Sequence, residues 1–361
     1  MYEPTGDNSR TIDWVDDVVE IIDQRLLPNQ YVVRRIEDVP SLVDAISSLA
    51  IRGAPALGVA GAMGVALAFR DTDPKRDPGR FQRVVQSIRE ARPTAVNLAG
   101  GVDRAYANVP EGRDAVLAEA LAIRDEEIAA SWSMSAYGAD LVAELVEHPR
   151  VRAMTICNTG GLAAVERGTA MGVIQAMHEQ GRLEEVIALE TRPLLQGARL
   201  TSWELSRIGA PYRLIVDSAA PFLISRGATN IVLTGADRVA ANGDTANKIG
   251  TYSLALAAHR ADIPFVIVAP ESTVDSATRT GAMIEIEDRG SAEVLSIRQI
   301  RIAPPDAEAL NPAFDVTPVD LITALVTDRR VIRFDLGDTL DTVALGTHRG
   351  RNTEPTIERG R

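Results

Sequence analysis

Cysteine is almost absent: Cys157 is the only one in 361 residues. A disulfide within the chain is therefore impossible, and a cytoplasmic setting is expected. Histidine is scarce too. His148, His178, His259 and His348 are scattered, and none stands at a metal-ligand spacing from cysteine or acids, so no metal is expected. No apolar run is long enough to cross a bilayer. The most apolar stretch, residues 54–69, is short, rich in Gly and Ala, and reads as a buried helix. The first residues, Met1-Tyr2-Glu3-Pro4, show neither the basic nor the apolar segment of a secretory signal. No GxGxxG follows a strand and there is no Walker motif, so neither NAD nor ATP is expected. Positive charge is also short. A net charge of -12 argues against nonspecific nucleic-acid binding and against adhesion to anionic membranes. Among the cations, lysine is rarest: Lys75 and Lys248 stand alone against many arginines.

What is present has a clear order. Short β-prone runs surround Pro28-Asn29, and residues 38–49 have helical periodicity. Arg52-Gly53-Ala54-Pro55 opens the small-residue helix. Residues 81–90 read as a helix, and a long helix spans 113–145. After His148-Pro149 the pattern changes. Apolar runs at 151–157, 185–190, 212–216, 230–235 and 264–269 alternate with helices predicted over 162–180, 197–208, 221–225 and 247–259. Near-continuous apolar strands alternating with helices signal a parallel sheet covered on both faces. The expected fold is α/β: a mostly helical N-terminal domain with a small β element (1–148), a Rossmann-like parallel-sheet domain (149–345), and a disordered tail (346–361). Gly58, Gly61 and Gly64 read as helix-packing positions.

In such sheets ligands bind beyond the carboxyl ends of the strands. Residues just past each strand are Cys157-Asn158, Glu190-Thr191-Arg192, Asp217, Asp237 and Pro270-Glu271. Cys157 precedes Asn158-Thr159-Gly160-Gly161, which is expected to open a helix. It reads either as a reactive thiol at a helix start or as an inert buried cysteine. Asp237 reads either as a general acid or base or as a turn residue. Asn247 and Lys248 are expected to open a helix, where a lysine is unfavourable unless an anion is bound. A solvated surface lysine is the alternative. Arg52, Gly53 and Ala54 combine a guanidinium, close backbone approach and free amides, which suits an anion. Arg92 and Gln196 are a second cation and a sugar-binding amide, or else ordinary surface residues.

The stretches IRGAPALGVAGAMGVALA, RPTAVNL, CNTGGLA, GTAMGVIQAMHEQGR, ETRPLLQGARLTSWEL, GADRVAANGDTANKIGTYSLALAA, PFVIVAPESTVD and NPAFDVTPVDLITALVTD run in order over residues 51–328. Together they resemble the methylthioribose-1-phosphate isomerase family of methionine salvage. Its wider relatives include the α, β and δ subunits of translation initiation factor 2B and archaeal ribose-1,5-bisphosphate isomerase. The resemblance implies a homodimer acting on a small sugar phosphate by aldose–ketose isomerisation, without a cofactor. It implies Asp237 as proton donor and Cys157 as its catalytic partner. Arg52, Gly53, Ala54, Arg92, Gln196, Asn247 and Lys248 would bind the sugar phosphate. Two departures stand out. Ile156 and Thr159 replace the His and Ala that usually flank the family's cysteine motif. AGGVDR, residues 99–104, stands where aromatic residues usually follow, and implies a changed pocket for the sugar's 5-substituent. A related pentose 1-phosphate (5-deoxyribose 1-phosphate or ribose 1,5-bisphosphate), or a noncatalytic regulatory role, is the alternative.

Overall fold

The computed structural model describes residues 10–93, 95–298 and 300–347. Residues 1–9 and most of the tail expected from sequence, 348–361, lie outside the described residues.

The chain starts with an antiparallel meander, β1 (Ile12–Val15), β2 (Val18–Ile22) and β3 (Val33–Ile36). Five helices follow: α1 (Val39–Ser47), α2 (Ala54–Ala68), α3 (Pro78–Arg89), α4 (Val96–Tyr106) and α5 (Arg113–Leu145). Asp38 caps α1 by accepting from the Ser41 amide at 2.7 Å. Helix α2 is apolar on all sides because it is enclosed on all sides. Small residues make that possible. A Cβ on Gly101 of α4 would lie 2.0 Å from the Gly58 carbonyl of α2, and one on Gly61 would lie 2.7 Å from the Leu98 carbonyl. Helix α4 was not foreseen in the sequence.

Next comes the large sheet. Its strands are β4 (Val151–Thr155), β5 (Leu183–Leu189), β6 (Tyr212–Ile215), β7 (Ile231–Thr234), then β8 (Arg238–Ala240) and β9 (Thr245–Lys248) of a second sheet, and β10 (Phe265–Val268). Shorter strands follow: β11 (Val274–Asp275), β12 (Ser296–Ile297), β13 (Ile300–Arg301), β14 (Phe314–Thr317), β15 (Ala324–Val326) and β16 (Val331–Arg333). The large sheet has the order β16-β15-β10-β7-β4-β5-β6, parallel except for β16. From β4 the chain builds outward through β5 and β6, then returns to place β7 on the other side of β4. The β4/β7 border is thus the point where strand order reverses, and it opens a crevice at the strands' carboxyl ends.

Helices α6 (Ala170–Glu179), α7 (Ser202–Arg207), α8 (Ala220–Ser225) and α9 (Thr251–Arg260) cover the sheet. The fold is α/β, as the alternation predicted. One hydrophobic core gathers β1–β3 and α1–α4, and others line the two faces of the sheet. Helix α5 spans both: Val116, Ala120 and Ile123 pack in the first, Met134, Leu141 and Val142 in the second.

Two expected helix starts are corrected. Residues 247–248 do not open a helix. They end β9, which pairs with β8 and β14, and α9 starts at Thr251 after Gly250 at φ 104°. Buried pairing on both sides overrides the helical pattern that begins just after. Likewise residues 162–169 are not helical beyond a short turn. Gly168 sits at φ 91°, pressed on the Thr159 carbonyl, and α6 begins only at Ala170.

Candidate active site

Cys157 lies two residues beyond β4, and Asp237 three residues beyond β7. Because β4 and β7 are neighbours in the sheet, both side chains reach one cavity at the reversal point. The same cavity is lined by Arg52, Gly53, Ala54, Arg92, Gln196, Asn247 and Lys248. Every residue singled out for chemistry or binding therefore meets at one place. Of the other strand-end residues, Asn158 and Pro270 also line it, whereas Asp217 and Glu271 do not. Asp217 instead accepts from the Thr191 and Arg192 amides at 2.7 Å each, bracing the turn after β5. Glu271 pairs with Arg330.

Cys157 does not gain from a helix start, since α6 begins thirteen residues later at Ala170. It sits instead in a strained turn. Its φ is 67°, a left-handed conformation that non-glycine residues rarely adopt. Two hydroxyls hold it there. The Cys157 amide donates to Thr191 Oγ1 at 2.8 Å, and Thr201 Oγ1 donates to the Cys157 carbonyl at 2.6 Å.

Asp237 is tied by its amide, which donates to the Ala246 carbonyl at 2.9 Å. The residue is exposed to the cavity, where the protein atoms packed nearby take the place of much of the bulk water around its carboxyl. That burial pushes the carboxyl above its ordinary range. Lys248, Arg92 and Arg52 pull in the opposite direction and do not cancel it.

The cations form a ring. Lys248 Nζ donates to the Ala313 carbonyl at 2.9 Å and sits 4.9 Å from the Phe314 ring centre. This fixes the ammonium while leaving it further donors. Burial first, then the charges of Arg289 and Arg52, push the Arg92 guanidinium down. Cations crowded in a protein of net charge -12 mark a place for an anion. Two buried polar atoms here lack any partner within the protein: Arg52 Nε and Gln196 Oε1. One is a donor and the other an acceptor, each left unpaired by the described residues.

Gly53 cannot be replaced. At φ 96° it caps α2, and a Cβ would lie 2.0 Å from the Ala163 carbonyl. The start of α2, Ala54 and Pro55, lines the cavity beside it. We expect Gly53→Ala to destabilise the fold by about 1–3 kcal/mol, read as a lower melting temperature, and to weaken anion binding.

The model of the initiation factor 2 subunit family matches residues 50–333, most of the chain. The chain belongs to that family. A curated relative from Anaeromyxobacter sp. (strain Fw109-5), named methylthioribose-1-phosphate isomerase, is 48% identical over 88% of this chain and 92% of its own length. A relative from Nocardia farcinica, named a probable bifunctional methylthioribose-1-phosphate isomerase/methylthioribulose-1-phosphate dehydratase, is 49% identical over 91% of this chain. The match spans 60% of that longer protein. Among solved structures, 5-methylthioribose 1-phosphate isomerase from Pyrococcus horikoshii superposes with a TM-score of 0.83 at 40% identity, covering 90% of this chain and 92% of that one. A structure named translation initiation factor eIF-2B, subunit delta, from A. fulgidus gives 0.80 at 39% identity, covering 90% and 96%.

In this family member the altered stretch at residues 99–104 does not reach the cavity. It lies in α4 and packs on α2 through Gly101, with Val102 buried. The expected change to a 5-substituent pocket is therefore not carried by these residues. Gly101 there lets α4 lie close against α2.

Sequence reasoning missed Arg289, a fourth cation lining the cavity. It lies in the irregular segment between β11 and β14, where no periodicity or strand end marks it. Glu293 grips its guanidinium, with Nη2 to Oε1 at 2.6 Å and Nε to both oxygens at 3.0 Å. Asn311 Nδ2 donates to the same carboxylate at 3.1 Å. We expect Arg289→Met to raise KM about tenfold or more with a smaller change in kcat, since charged hydrogen bonds contribute about 1.5–3 kcal/mol. Steady-state kinetics over a substrate series checks this.

Proposed function

We propose that the chain is an aldose–ketose isomerase that converts 5-methylthioribose 1-phosphate to 5-methylthioribulose 1-phosphate, in methionine salvage. One observation carries the reading: a thiol and an acid, on adjacent strand ends, face a cavity ringed by Arg52, Arg92 and Lys248. The relatives' names support the same substrate. Residues 1–148 would supply Arg52, Gly53, Ala54 and Arg92, and residues 149–345 the remainder of the site.

The substrate's C1 carries phosphate, so no free aldehyde exists and the ring must open first. Asp237, in its acid form, protonates the ring oxygen as its bond to C1 breaks. C1 keeps its phosphate and becomes electron-poor, and the cation ring holds that phosphate in place. The hydrogen on C2 then moves to C1. In the proton route the Cys157 sulfur takes it from C2, a phosphate-bearing enediol forms, and the thiol returns a proton to C1. In the hydride route the hydrogen crosses with its electron pair directly. In both, the C2 hydroxyl loses its proton, by way of the Cys157–Asp237 pair, and Asp237 ends as the acid again. Turnover in D2O separates the routes: deuterium enters C1 in the first and not in the second.

Ketose formation from methylthioribose 1-phosphate by the purified protein tests the function. Turnover confined to 5-deoxyribose 1-phosphate or ribose 1,5-bisphosphate would move the substrate but keep the chemistry. No turnover with any pentose 1-phosphate would sink the reading and favour a noncatalytic role, the direction in which the name of the A. fulgidus structure points. The reading also takes the protein to be cytoplasmic, to work without nucleic acid, and to act as a homodimer, which light scattering in solution checks.

A further inference from the structure

Glu204 lies behind the cavity wall, in α7, and does not itself line the cavity. Both its oxygens are acceptors in use. Oε2 takes the Asn158 side-chain amide, and Oε1 takes the Leu162 amide at 3.1 Å, with Gly161 adding a further backbone donor. The packing is close enough that a Cβ on Gly160 would sit 2.4 Å from Oε2. Burial pushes the Glu204 carboxyl up, while the hydrogen bonds from Asn158, Leu162 and Gly161 and the Arg52 charge pull in the other direction.

The consequence passes through Asn158. A side-chain amide has one donor end and one acceptor end. Glu204 occupies the donor end of Asn158, so the oxygen must face the other way, toward Arg52. Arg52 Nη2 donates to Asn158 Oδ1 and to the Asn158 carbonyl, at 2.8 Å each. The guanidinium is thereby held by one edge, while Nε is left without a partner in the protein. A reversed Asn158 would set amide hydrogens against guanidinium hydrogens and drive Arg52 away.

We propose that Glu204 is a positioning residue: by fixing the direction of the Asn158 amide, it aims the Arg52 guanidinium at a phosphate in the cavity. This rests on the reading of the cavity as a sugar-phosphate site, but its test needs no turnover. The sole cysteine, Cys157, is in that cavity, so its alkylation by iodoacetamide reports one site only. Inorganic phosphate is the probe, and the protein is the full chain.

Glu204→Gln keeps the size but puts an NH2 where one of the two oxygens stood, so either Asn158 or Leu162 meets a donor instead of its acceptor. At near-unchanged melting temperature, this variant is expected to need about tenfold or more phosphate to protect Cys157. Arg52→Met is expected to lose as much, and the double variant no more than Arg52→Met alone, because the two act as one unit. In turnover, Glu204→Gln should raise KM more than it lowers kcat. An unchanged protection midpoint, or losses that multiply in the double variant, would overturn the proposal. So would a wild-type protein whose Cys157 phosphate does not protect at all. If Glu204→Gln does not fold, Asn158→Leu, which removes the bridging amide, is held to the same outcomes. Phosphate protection that shifts as expected in a protein with no isomerase activity would end the isomerase reading and leave this one standing.

Discussion

Asp237→Asn is expected to cut turnover by about 10²–10⁴-fold while leaving substrate affinity nearly unchanged. Asparagine keeps the shape and a polar contact but has no acidic proton to give to the ring oxygen. Kinetics, with calorimetric titration of the ketose product, measures the two effects separately. Equal loss of binding and turnover would contradict the role. The pH profile follows from the same environment. Burial raises the Asp237 carboxyl above its ordinary value of 3.8, so the acid form persists to higher pH than in a free carboxyl. Activity that needs the acid should fall as pH rises through the folded value, and this limb should be missing from the residual activity of Asp237→Asn. Stability has the same sign. Between the unfolded and folded values the native state holds more protons than the unfolded state, so stability declines as pH rises through that window. Asp237→Asn should therefore gain melting temperature relative to wild type above the window and not below it.

Cys157→Ala should cost about 10²-fold or more in turnover, with little change in melting temperature. The side chain is half-buried against an open cavity, so removing the sulfur leaves no sealed void. What it removes is the proton carrier opposite Asp237. The left-handed turn, clamped by Thr191 and Thr201, is an investment of backbone strain at this one residue. Strain of that kind persists where the direction of a side chain matters more than local stability. Turnover by Cys157→Ala within a few-fold of wild type would remove the thiol from the mechanism.

Much of the fold was legible because its signals are local. Strands β4, β5, β7 and β10 are apolar runs, as strands enclosed on both faces must be, and the limits of α5 are those its pattern gave. Where local patterns compete, the reading failed. Thr245–Lys248 carries no strand signature beyond the turn that precedes it, and the helical run of α9 drew the expected boundary forward into a strand that β8 and β14 hold in place. Lys248 still reaches the cavity, but from a strand end with an ammonium anchored on Ala313 and Phe314, not from a helix start. The glycines before α6 hid the same error. Gly160 and Gly168 pair their backbones in a loop where a helix had been expected.

The sequence by itself determined the α/β class, the apolar strands and the polar residues that follow each of them, because burial and chain direction act on neighbouring residues. It also determined, through one cysteine and few lysines, which groups are available for chemistry. Only the tertiary structure decided that β7 returns to lie beside β4, which brings Cys157 and Asp237 to one cavity across eighty residues of chain. It alone placed Arg289 on the cavity's rim and Glu204 behind its wall. Those positions depend on strand order and on contacts between distant segments, which no periodicity along the chain encodes.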